Sequence, residues 1–290
     1  MTLRFDIREY DELTSTNDLV KQAMKDGAPE GLVVCAKVQT AGYGRRGHRW
    51  QSDEGSLYMS VLLRPNVARD GEASCMATLP LVVALAVRRA IASFLSAWQA
   101  GEVKVKWPND VVYGEAASEG FSKMCGISTE WKLGAVCVGI GVNVRRSRPV
   151  QPPTHPAHDS CEPSRNLPTY MGDILGENEC PSVSQVRDAV LREFSRVYDT
   201  WLAHGFAALR NEYMQCLALL GAEVRIDDAA MLDAGGSLVA RDVPCCTVEG
   251  VTDDGMLAVR PCGSDVSAKV ASGTVTIGHF LKNGEGLDHD

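Results

Sequence analysis

Residues 41–50, AGYGRRGHRW, combine three glycines and three arginines with a histidine and a tryptophan. The planar guanidinium group of arginine bonds two oxygens of a phosphate or a carboxylate at once, and the indole of Trp50 offers a flat apolar face on which a base can stack. Glycines are costly to order because they lose the most conformational freedom. We therefore expect this stretch, the Gly–Arg segment, to be a loop that folds over an anionic ligand, with a solvated basic loop as the alternative.

Residues 42–47 also match the pattern G-x-G-x-x-G of dinucleotide-binding folds. That pattern works only where a helix follows, because the helix N-terminus receives the pyrophosphate. Here polar residues and then the strand-like stretch SLYMSVLL follow. The pattern therefore does not predict a Rossmann fold, and no Gly-Lys-Ser or Gly-Lys-Thr step of a P-loop occurs in the sequence.

Two further segments bring charged and amide side chains to strand ends. KWPND, residues 106–110, ends a strand-like stretch with a lysine, an aromatic ring, a proline and two polar side chains, and the residue before a proline is held extended. KMCGISTE begins at Lys123, which we expect just ahead of a new strand that starts near Gly126. Taken singly, Lys123 fits an ordinary strand-flanking lysine, and Asn109 and Asp110 fit turn residues.

Together these segments resemble the biotin protein ligase family. The likeness rests on TSTN, QTAGYGRRGHRW, KWPND, KMCGISTE and GIGVNV, which occur in the family's order within residues 14–144. It implies an enzyme that uses ATP and Mg²⁺ to convert biotin into biotinyl-5′-AMP and pyrophosphate. The biotinyl group then passes to a lysine in the biotin carboxyl carrier domain of acetyl-CoA carboxylase or a related carboxylase. Only a short stretch precedes TSTN, so we expect no DNA-binding domain and no nucleic-acid partner.

The resemblance also implies a role for individual positions. Lys123 and Arg45 are the expected catalytic residues. The expected biotin-binding positions are Ser15, Thr16, Asn17, Gln39, Gly42, Arg45, Gly126 and Gly139. The expected ATP- and adenylate-binding positions are Arg45, Arg46, Trp50, Asn109, Lys123 and Asn143. Asp110 is the candidate helper for the second step, and Mg²⁺ is expected near Asn109 together with the substrate phosphates.

The chemistry of the first step agrees with these positions. A carboxylate is already ionised at neutral pH, with a pKa of about 4, so it attacks the α-phosphorus without a base. The remaining task is to hold two anions together and to stabilise the charge of the transition state, which positioned Arg, Lys and Mg²⁺ do. In the second step, an acceptor lysine with a pKa of about 10.4 has to lose a proton first.

Two positions depart from the family pattern. Tyr43 and His48 stand where the family usually has arginines, so the Gly–Arg segment is less positive than usual. From charge alone we expect somewhat looser retention of the adenylate. Two other functions remain open: a lipoate-protein ligase, which performs the same chemistry on another acid, and a biotin-binding sensor without activity.

Periodicity and turn residues predict the elements that position these side chains. Helices are predicted over residues 14–27, 79–98, 184–204 and 206–220, and strands over 31–40, 56–64, 103–107 and 134–144. After Gly221, short strands alternate with Gly/Asp turns, and TDDGM predicts a hairpin. With the resemblance, this pattern implies an α+β fold. A central mixed β-sheet with helices packed on it is followed by a small C-terminal SH3-like β-barrel.

The predicted domains are a catalytic domain over 1–220, with a surface insertion over 145–181, an SH3-like domain over 221–283 and a tail over 284–290. A formal net charge of −8 argues against general nucleic-acid binding. We expect no membrane span and no signal peptide. Cytoplasmic location is favoured. A mitochondrial location is left open although no clear transit peptide is seen, and a homodimer is left open.

The cysteines and one histidine cluster have ordinary interpretations. Cys35 and Cys137 lie in apolar runs and are predicted to be small buried residues in a reducing compartment. Cys245 and Cys246 are predicted to pack inside the barrel. A zinc site in THPAHDSC, at His155, His158 and Cys161, is weakly indicated against a plain proline-rich insertion.

Overall fold

In the computed structural model, the chain is described over residues 3–47, 49–65, 76–114, 120–147, 168–233 and 236–277, with Arg46 described by its backbone only. The described chain divides into two compact units. The first reaches Ala218 and includes Asp253–Gly255, and the second begins at Leu219. His48, the sequence THPAHDSC and the predicted tail lie outside the described residues.

The first unit is built on a seven-stranded sheet with the order β1-β2-β3-β7-β6-β5-β4. Its strands are β1 Asp6–Leu13, β2 Leu32–Gln39, β3 Leu57–Leu63, β4 Val103–Lys106, β5 Asp110–Tyr113, β6 Ser122–Lys132 and β7 Ala135–Val142. β1 runs parallel to β2, and the other neighbours are antiparallel. The sheet is therefore mixed, as predicted.

Apolar patterns predicted β2, β3 and β7 to within two residues at either end, whereas β1 was not predicted. Seven of the eight residues of β1 are exposed, so this edge strand lacks the apolar alternation by which a strand is recognised. The expectation that Lys123 precedes its strand is wrong, because β6 begins at Ser122 and includes it. The strand extends this far back because Lys123 pairs with Val112 of β5.

The register places the chemistry on one face of the sheet. Directly paired residues on neighbouring strands share a face. One row across the sheet runs Tyr58–Gly141–Gly126–Asp110–Lys106, each residue paired with the next. A second row, two residues along, runs Ser60–Gly139–Ser128. This surface, the site face, thus has glycines at its centre and polar side chains around them.

A β-bulge modifies β6 beside the site face. Val111 pairs with Cys125, and the next residue of β5, Val112, pairs with Lys123, so Met124 is the extra residue of β6. In a regular strand, Lys123 and Gly126 are three residues apart and point to opposite faces. The bulge brings them to the same side, with Lys123 Cε 3.2 Å from the position that a Cβ of Gly126 would take.

The helices are α1 Thr16–Lys25, α2 Leu79–Ala92, α3 Ala97–Gly101, α4 Met171–Leu175, α5 Val183–His204 and α6 Ala207–Gln215. α1 packs on the site-face side of the sheet, where its Val20 and Met24 join a core cluster with Leu62 and Cys137. The cluster anchors α1 so that its first turn lies over the second row of the site face. Among the helices described, none is long and apolar enough to cross a bilayer.

Two helix predictions are too long. The helix predicted over residues 79–98 ends at Ala92, because Ser96 starts α3 with a reciprocal cap to Gln99. The helix predicted over 206–220 ends at Gln215 with Cys216 as its C-cap. The prediction over 184–204 agrees with α5, which stops before Gly205 at a φ of 73°.

The second unit is an antiparallel sheet with the order β10-β9-β13-β12-β11-β8-β14. Its strands are β8 Glu223–Asp227, β9 Met231–Leu232, β10 Leu238–Ala240, β11 Val243–Val251, β12 Leu257–Pro261, β13 Ala268–Val270 and β14 Thr274–Ile277. TDDGM joins β11 to β12 as the predicted hairpin. This all-antiparallel unit is consistent with an SH3-like barrel.

The cysteine predictions are confirmed in part. Cys35, Cys137 and Cys246 are free and buried, as expected. Cys245 does not simply pack, because it forms a disulfide with Cys262. The two residues are neighbours through the β11–β12 hairpin, where Cys262 N donates to Cys245 O at 3.1 Å.

Candidate active site

The start of α1 forms the buried end of the site. Ser15, Thr16 and Asn17 are almost fully buried, which is unusual for polar residues unless they are hydrogen-bonded. Gln39 Oε1 accepts from Thr16 N at 2.8 Å and lies 3.1 Å from Thr16 Oγ1. Ser15 occupies the N-cap position of α1, but its side chain accepts no capping hydrogen bond. The predicted biotin-binding residues of this group are therefore in one place.

Ser60 is the centre of this polar group and was missed from the sequence. Its Oγ is fully buried and lies 2.7 Å from both Thr16 Oγ1 and Asn17 Oδ1. Asn17 Nδ2 donates to Ser128 Oγ at 3.3 Å. A serine in the middle of the apolar strand LYMSVLL was the available signal, since a buried hydroxyl in such a run needs a partner.

Gly139 gives Asn17 its space. A Cβ at Gly139 would lie 2.4 Å from Asn17 Oδ1 and 2.6 Å from Ser128 Oγ, which no side chain tolerates. The glycine therefore lets the first turn of α1 approach the sheet, and it lies next to Asn17, another of the expected biotin-binding positions.

The Gly–Arg segment connects β2 to β3 and closes on itself. Tyr43 forms an antiparallel bridge with Arg49, and Trp50 N donates to Gly42 O at 2.9 Å. Arg45–Gly47 form a 3₁₀ turn at its tip. Gly42 is required at the base, because a Cβ there would lie 2.5 Å from Ser52 Oγ.

Arg45 reaches from this turn to the KWPND segment. Its Nη1 donates to Asn109 Oδ1 at 2.8 Å, and Asn109 Nδ2 donates to Ile127 O at 2.8 Å. Asn109 thereby bridges the guanidinium group to β6, directly after Gly126. The first of these hydrogen bonds thus joins Arg45 to Asn109, two of the predicted site residues.

Trp50 lies on the central glycine pair of the site face. A Cβ at Gly126 would lie 2.6 Å from its ring, and a Cβ at Gly141 would lie 2.7 Å from it. Gly141 was not predicted as a site residue, although it shares the GIGVNV segment with Gly139. Trp50 Nε1 is buried without a hydrogen-bond partner among the described residues, a state that costs about 1–3 kcal/mol. An acceptor on a bound ligand would satisfy it.

Lys123 and Asp110 form the charged corner of the site. Lys123 Nζ lies 2.8 Å from Asp110 Oδ1 and 5.3 Å from the centroid of the Trp50 ring, within cation–π range. Asn143 Nδ2 donates to Lys123 O at 2.9 Å. Asn143 therefore orients the backbone that carries the lysine, and its amide is directed at β6.

Lys106, another residue not predicted as functional, is paired with Asp110 in the β4–β5 ladder. It is 7% exposed. Burial lowers the pKa of its ammonium group, the nearby Asp110 raises it and Lys123 lowers it, with a net downward shift. Asp110 thus lies between two lysines, one in its own ladder and one brought in by the bulge. In the described part of the chain, no cluster of three His, Cys, Asp or Glu side chains offers a metal site.

Comparison with known proteins agrees with this geometry. The model of the biotin/lipoate A/B protein ligase family matches residues 10–146. The bifunctional ligase/repressor BirA of Bacillus subtilis is 29% identical over 207 residues, which cover 69% of this chain and 56% of that protein. The chain therefore spans about half the length of that relative. The biotin--[acetyl-CoA-carboxylase] ligase of Paracoccus denitrificans is 29% identical over 262 residues, which cover 88% of this chain and 95% of that protein.

A solved structure shares the fold. The biotin protein ligase from Aquifex aeolicus, solved in complex with biotin and ATP, superposes with a TM-score of 0.68 over 93% of this chain and 97% of that one, at 23% identity. The α+β architecture with a mixed sheet is thereby confirmed. Residues 10–146, the part of the chain that the model of the biotin/lipoate A/B protein ligase family matches, contain all the site residues described above.

Proposed function

We propose that this protein is a biotin protein ligase. It activates biotin with ATP and then transfers the biotinyl group to a lysine of a carboxyl carrier domain. The observation that supports this best is the position of Lys123 and Trp50 at the glycine pair Gly126–Gly141, with Arg45 connected through Asn109 to the next residue of β6. Two cations and an aromatic face thus lie next to a buried neutral polar group at the start of α1.

The two cations suit the first step. A carboxylate oxygen of biotin bonds to the α-phosphorus of ATP as the bond to the pyrophosphate oxygen breaks. Both reactants are anionic, so the protein has to neutralise charge rather than remove a proton. Arg45, held by Asn109, and Lys123, held by Asp110, are preorganised donors of the kind that stabilise such a transition state.

The buried polar group favours biotin over lipoate. The ureido ring of biotin has both hydrogen-bond donors and acceptors, whereas the dithiolane ring of lipoate has no strong ones. Thr16, Asn17, Gln39 and Ser60 are buried or half-buried and connected by hydrogen bonds. A site of this kind disfavours an apolar ring, because the ring would cover these polar atoms without using their remaining donor and acceptor positions.

The residues present fit Mg²⁺ only in combination with substrate phosphates. Mg²⁺ in nucleotide sites takes one or two carboxylates and completes its shell with phosphate oxygens and water. Asp110 provides one carboxylate and Asn109 one amide oxygen. When bound, the ion would neutralise phosphate charge. The phosphate charge that the ion leaves would fall to Arg45 and Lys123.

In the second step, the acceptor lysine attacks the carbonyl carbon of the adenylate and AMP leaves. We assign the role of proton acceptor to Asp110, because it is the carboxylate beside Lys123. The partner is a carboxyl carrier domain of acetyl-CoA carboxylase or a related carboxylase, the class named for the Paracoccus denitrificans relative.

Pyrophosphate–ATP exchange tests the proposal, with biotin, lipoate and octanoate offered separately with Mg²⁺. Exchange with biotin alone supports it. Exchange with lipoate instead would overturn the assignment of the polar group. Biotin binding without exchange would make the protein a sensor.

A further inference from the structure

Tyr43 connects the Gly–Arg segment to α1 through its hydroxyl group. Tyr43 Oη donates to Asp18 Oδ1 at 2.8 Å, and Lys21 Nζ donates to the same Tyr43 oxygen. Lys21 also donates to Glu130 Oε2 at 3.1 Å. The first residue after Gly42 is therefore fixed to a helix and, through Lys21, to β6.

The same tyrosine determines where the rest of the segment lies. Its backbone forms the bridge with Arg49, and the adjacent Trp50 is hydrogen-bonded to Gly42. The 3₁₀ turn that presents Arg45 lies between the two sides of this bridge. Holding Tyr43 against α1 therefore holds both Arg45 and Trp50 over the site face.

The contact of Tyr43 with Asp18 and Lys21, the anchor, differs in kind from the contacts of the arginines in the Gly–Arg segment. Arg45 donates to the neutral amide of Asn109, and in the proposed reaction its charge acts on a bound anion. The anchor needs no ligand, because Lys21 is balanced by Asp18 and Glu130 within the protein. Burial raises the pKa of the Tyr43 phenol, Lys21 lowers it and Asp18 raises it, giving about 12. The hydroxyl is therefore protonated near neutral pH and can donate to Asp18.

We propose that Tyr43 is a positioning residue whose hydroxyl holds the Gly–Arg segment against α1 before ligand binds and thereby slows release of the acyl-adenylate. The second half of this statement rests on the proposed function, and the first half does not. This proposal reverses the expectation from charge alone, which is that a tyrosine at position 43 loosens retention of the adenylate.

Tyr43→Phe is the direct test, because it removes the hydroxyl and keeps the ring that lies 5.0 Å from Lys21 Nζ. The first measurement is trypsin cleavage after the arginines of the Gly–Arg segment, in the full ligand-free chain near neutral pH. We expect cleavage several-fold faster in Tyr43→Phe and in Lys21→Met, and no further increase in the double variant. Tyr10→Phe, at a half-exposed tyrosine of β1, is the matched control and should behave as wild type.

The second measurement is the dissociation rate of biotinyl-AMP formed from biotin and ATP. We expect release about 5- to 30-fold faster in Tyr43→Phe, as for the loss of one or two hydrogen bonds. Adenylate formation in a single turnover at saturating substrates should change less than the release rate does, because the bound anions then also hold Arg45 over the site face. A general structural defect would instead also slow adenylate formation strongly and reduce the melting temperature.

The outcomes separate the two proposals. Wild-type protein that forms no adenylate, while Tyr43→Phe is still cleaved faster, would refute the ligase assignment and keep the anchor. Active wild-type protein whose Tyr43→Phe variant matches it in cleavage and in release would refute the anchor alone.

Discussion

Lys123 Nζ lies 2.8 Å from Asp110 Oδ1, although the strand spacing alone would not bring Lys123 to the face that holds Gly126. The extra residue Met124 in β6 makes this contact possible. In the proposed reaction, one ammonium group therefore serves two anions in turn. It is balanced by Asp110 before ATP binds and faces phosphate afterwards, which leaves Asp110 available to the acceptor lysine.

Replacing Lys123 by Met should lower biotin-dependent pyrophosphate–ATP exchange by about 10²- to 10³-fold, because it removes a preorganised positive charge from the transition state. Met keeps most of the aliphatic stem against Gly126 and Trp50. The control is Lys132→Met, an exposed lysine at the end of β6. Exchange near the wild-type rate in Lys123→Met would contradict the catalytic assignment, provided that circular dichroism shows a folded protein.

Replacing Gly141 by Ala should displace the Trp50 indole, because the new methyl group would lie 2.7 Å from the ring. We expect weaker ATP binding with little change in biotin binding, and a shift of the tryptophan fluorescence maximum. Gly101→Ala is the matched control, since nothing lies within 4 Å of its Cβ position. Unchanged ATP affinity in Gly141→Ala would mean that Trp50 does not take part in nucleotide binding.

Replacing Arg45 by Gly should let biotinyl-AMP escape and label lysines of bystander proteins. Asn109→Ala should have part of the same effect, because Asn109 holds the guanidinium group at 2.8 Å. In a double-mutant cycle, the two changes should be less than additive, with a coupling of about 0.5–3 kcal/mol. Labelling confined to the carrier domain in Arg45→Gly would show that another group retains the adenylate.

Replacing Ser60 by Ala should raise the Kd for biotin by about 10-fold, because Thr16 and Asn17 lose the hydroxyl that orients both. Isothermal titration calorimetry measures this directly. Ser195→Ala is the control, a buried serine of α5 whose Oγ has no hydrogen-bond partner among the described residues. Equal biotin affinity in both variants would exclude Ser60 from the biotin end of the site.

Much of the fold follows from local patterns in the sequence. β2, β3, β7 and α5 are apolar at the expected periods, so they were predicted within two residues of their ends. β1 was not predicted, because an edge strand with exposed charged residues has no apolar face. The length of α2 was overestimated, because the apolar run does not show that Ser96 starts a separate helix.

The site was only partly predictable, for a related reason. The Gly–Arg segment, Asn109 and Lys123 carry distinctive residue types and could be singled out. Gly141 and Lys106 gain their importance from cross-strand pairing, which is not written in local sequence. Ser60 left a local signal, a serine inside an apolar strand, but its partners Thr16 and Asn17 are distant in sequence. The Cys245–Cys262 disulfide likewise depends on the hairpin register. Residues that act through their neighbours across a sheet become visible only when the register is known.

The bulge at Met124 has a consequence for engineering. Deleting Met124 would leave Lys123 two residues from Gly126, the spacing at which a regular strand already presents both on one face. The deletion would keep the partners of Lys123 and Gly126 in the β5–β6 ladder, Val112 and Asp110. It would remove the local bend that a bulge adds, the buried Met124 side chain and the oxygen that accepts from Asn143 N. Shortening the chain by this one residue therefore tests whether Lys123 needs only the correct face of the sheet or also the local backbone geometry that the bulge gives it.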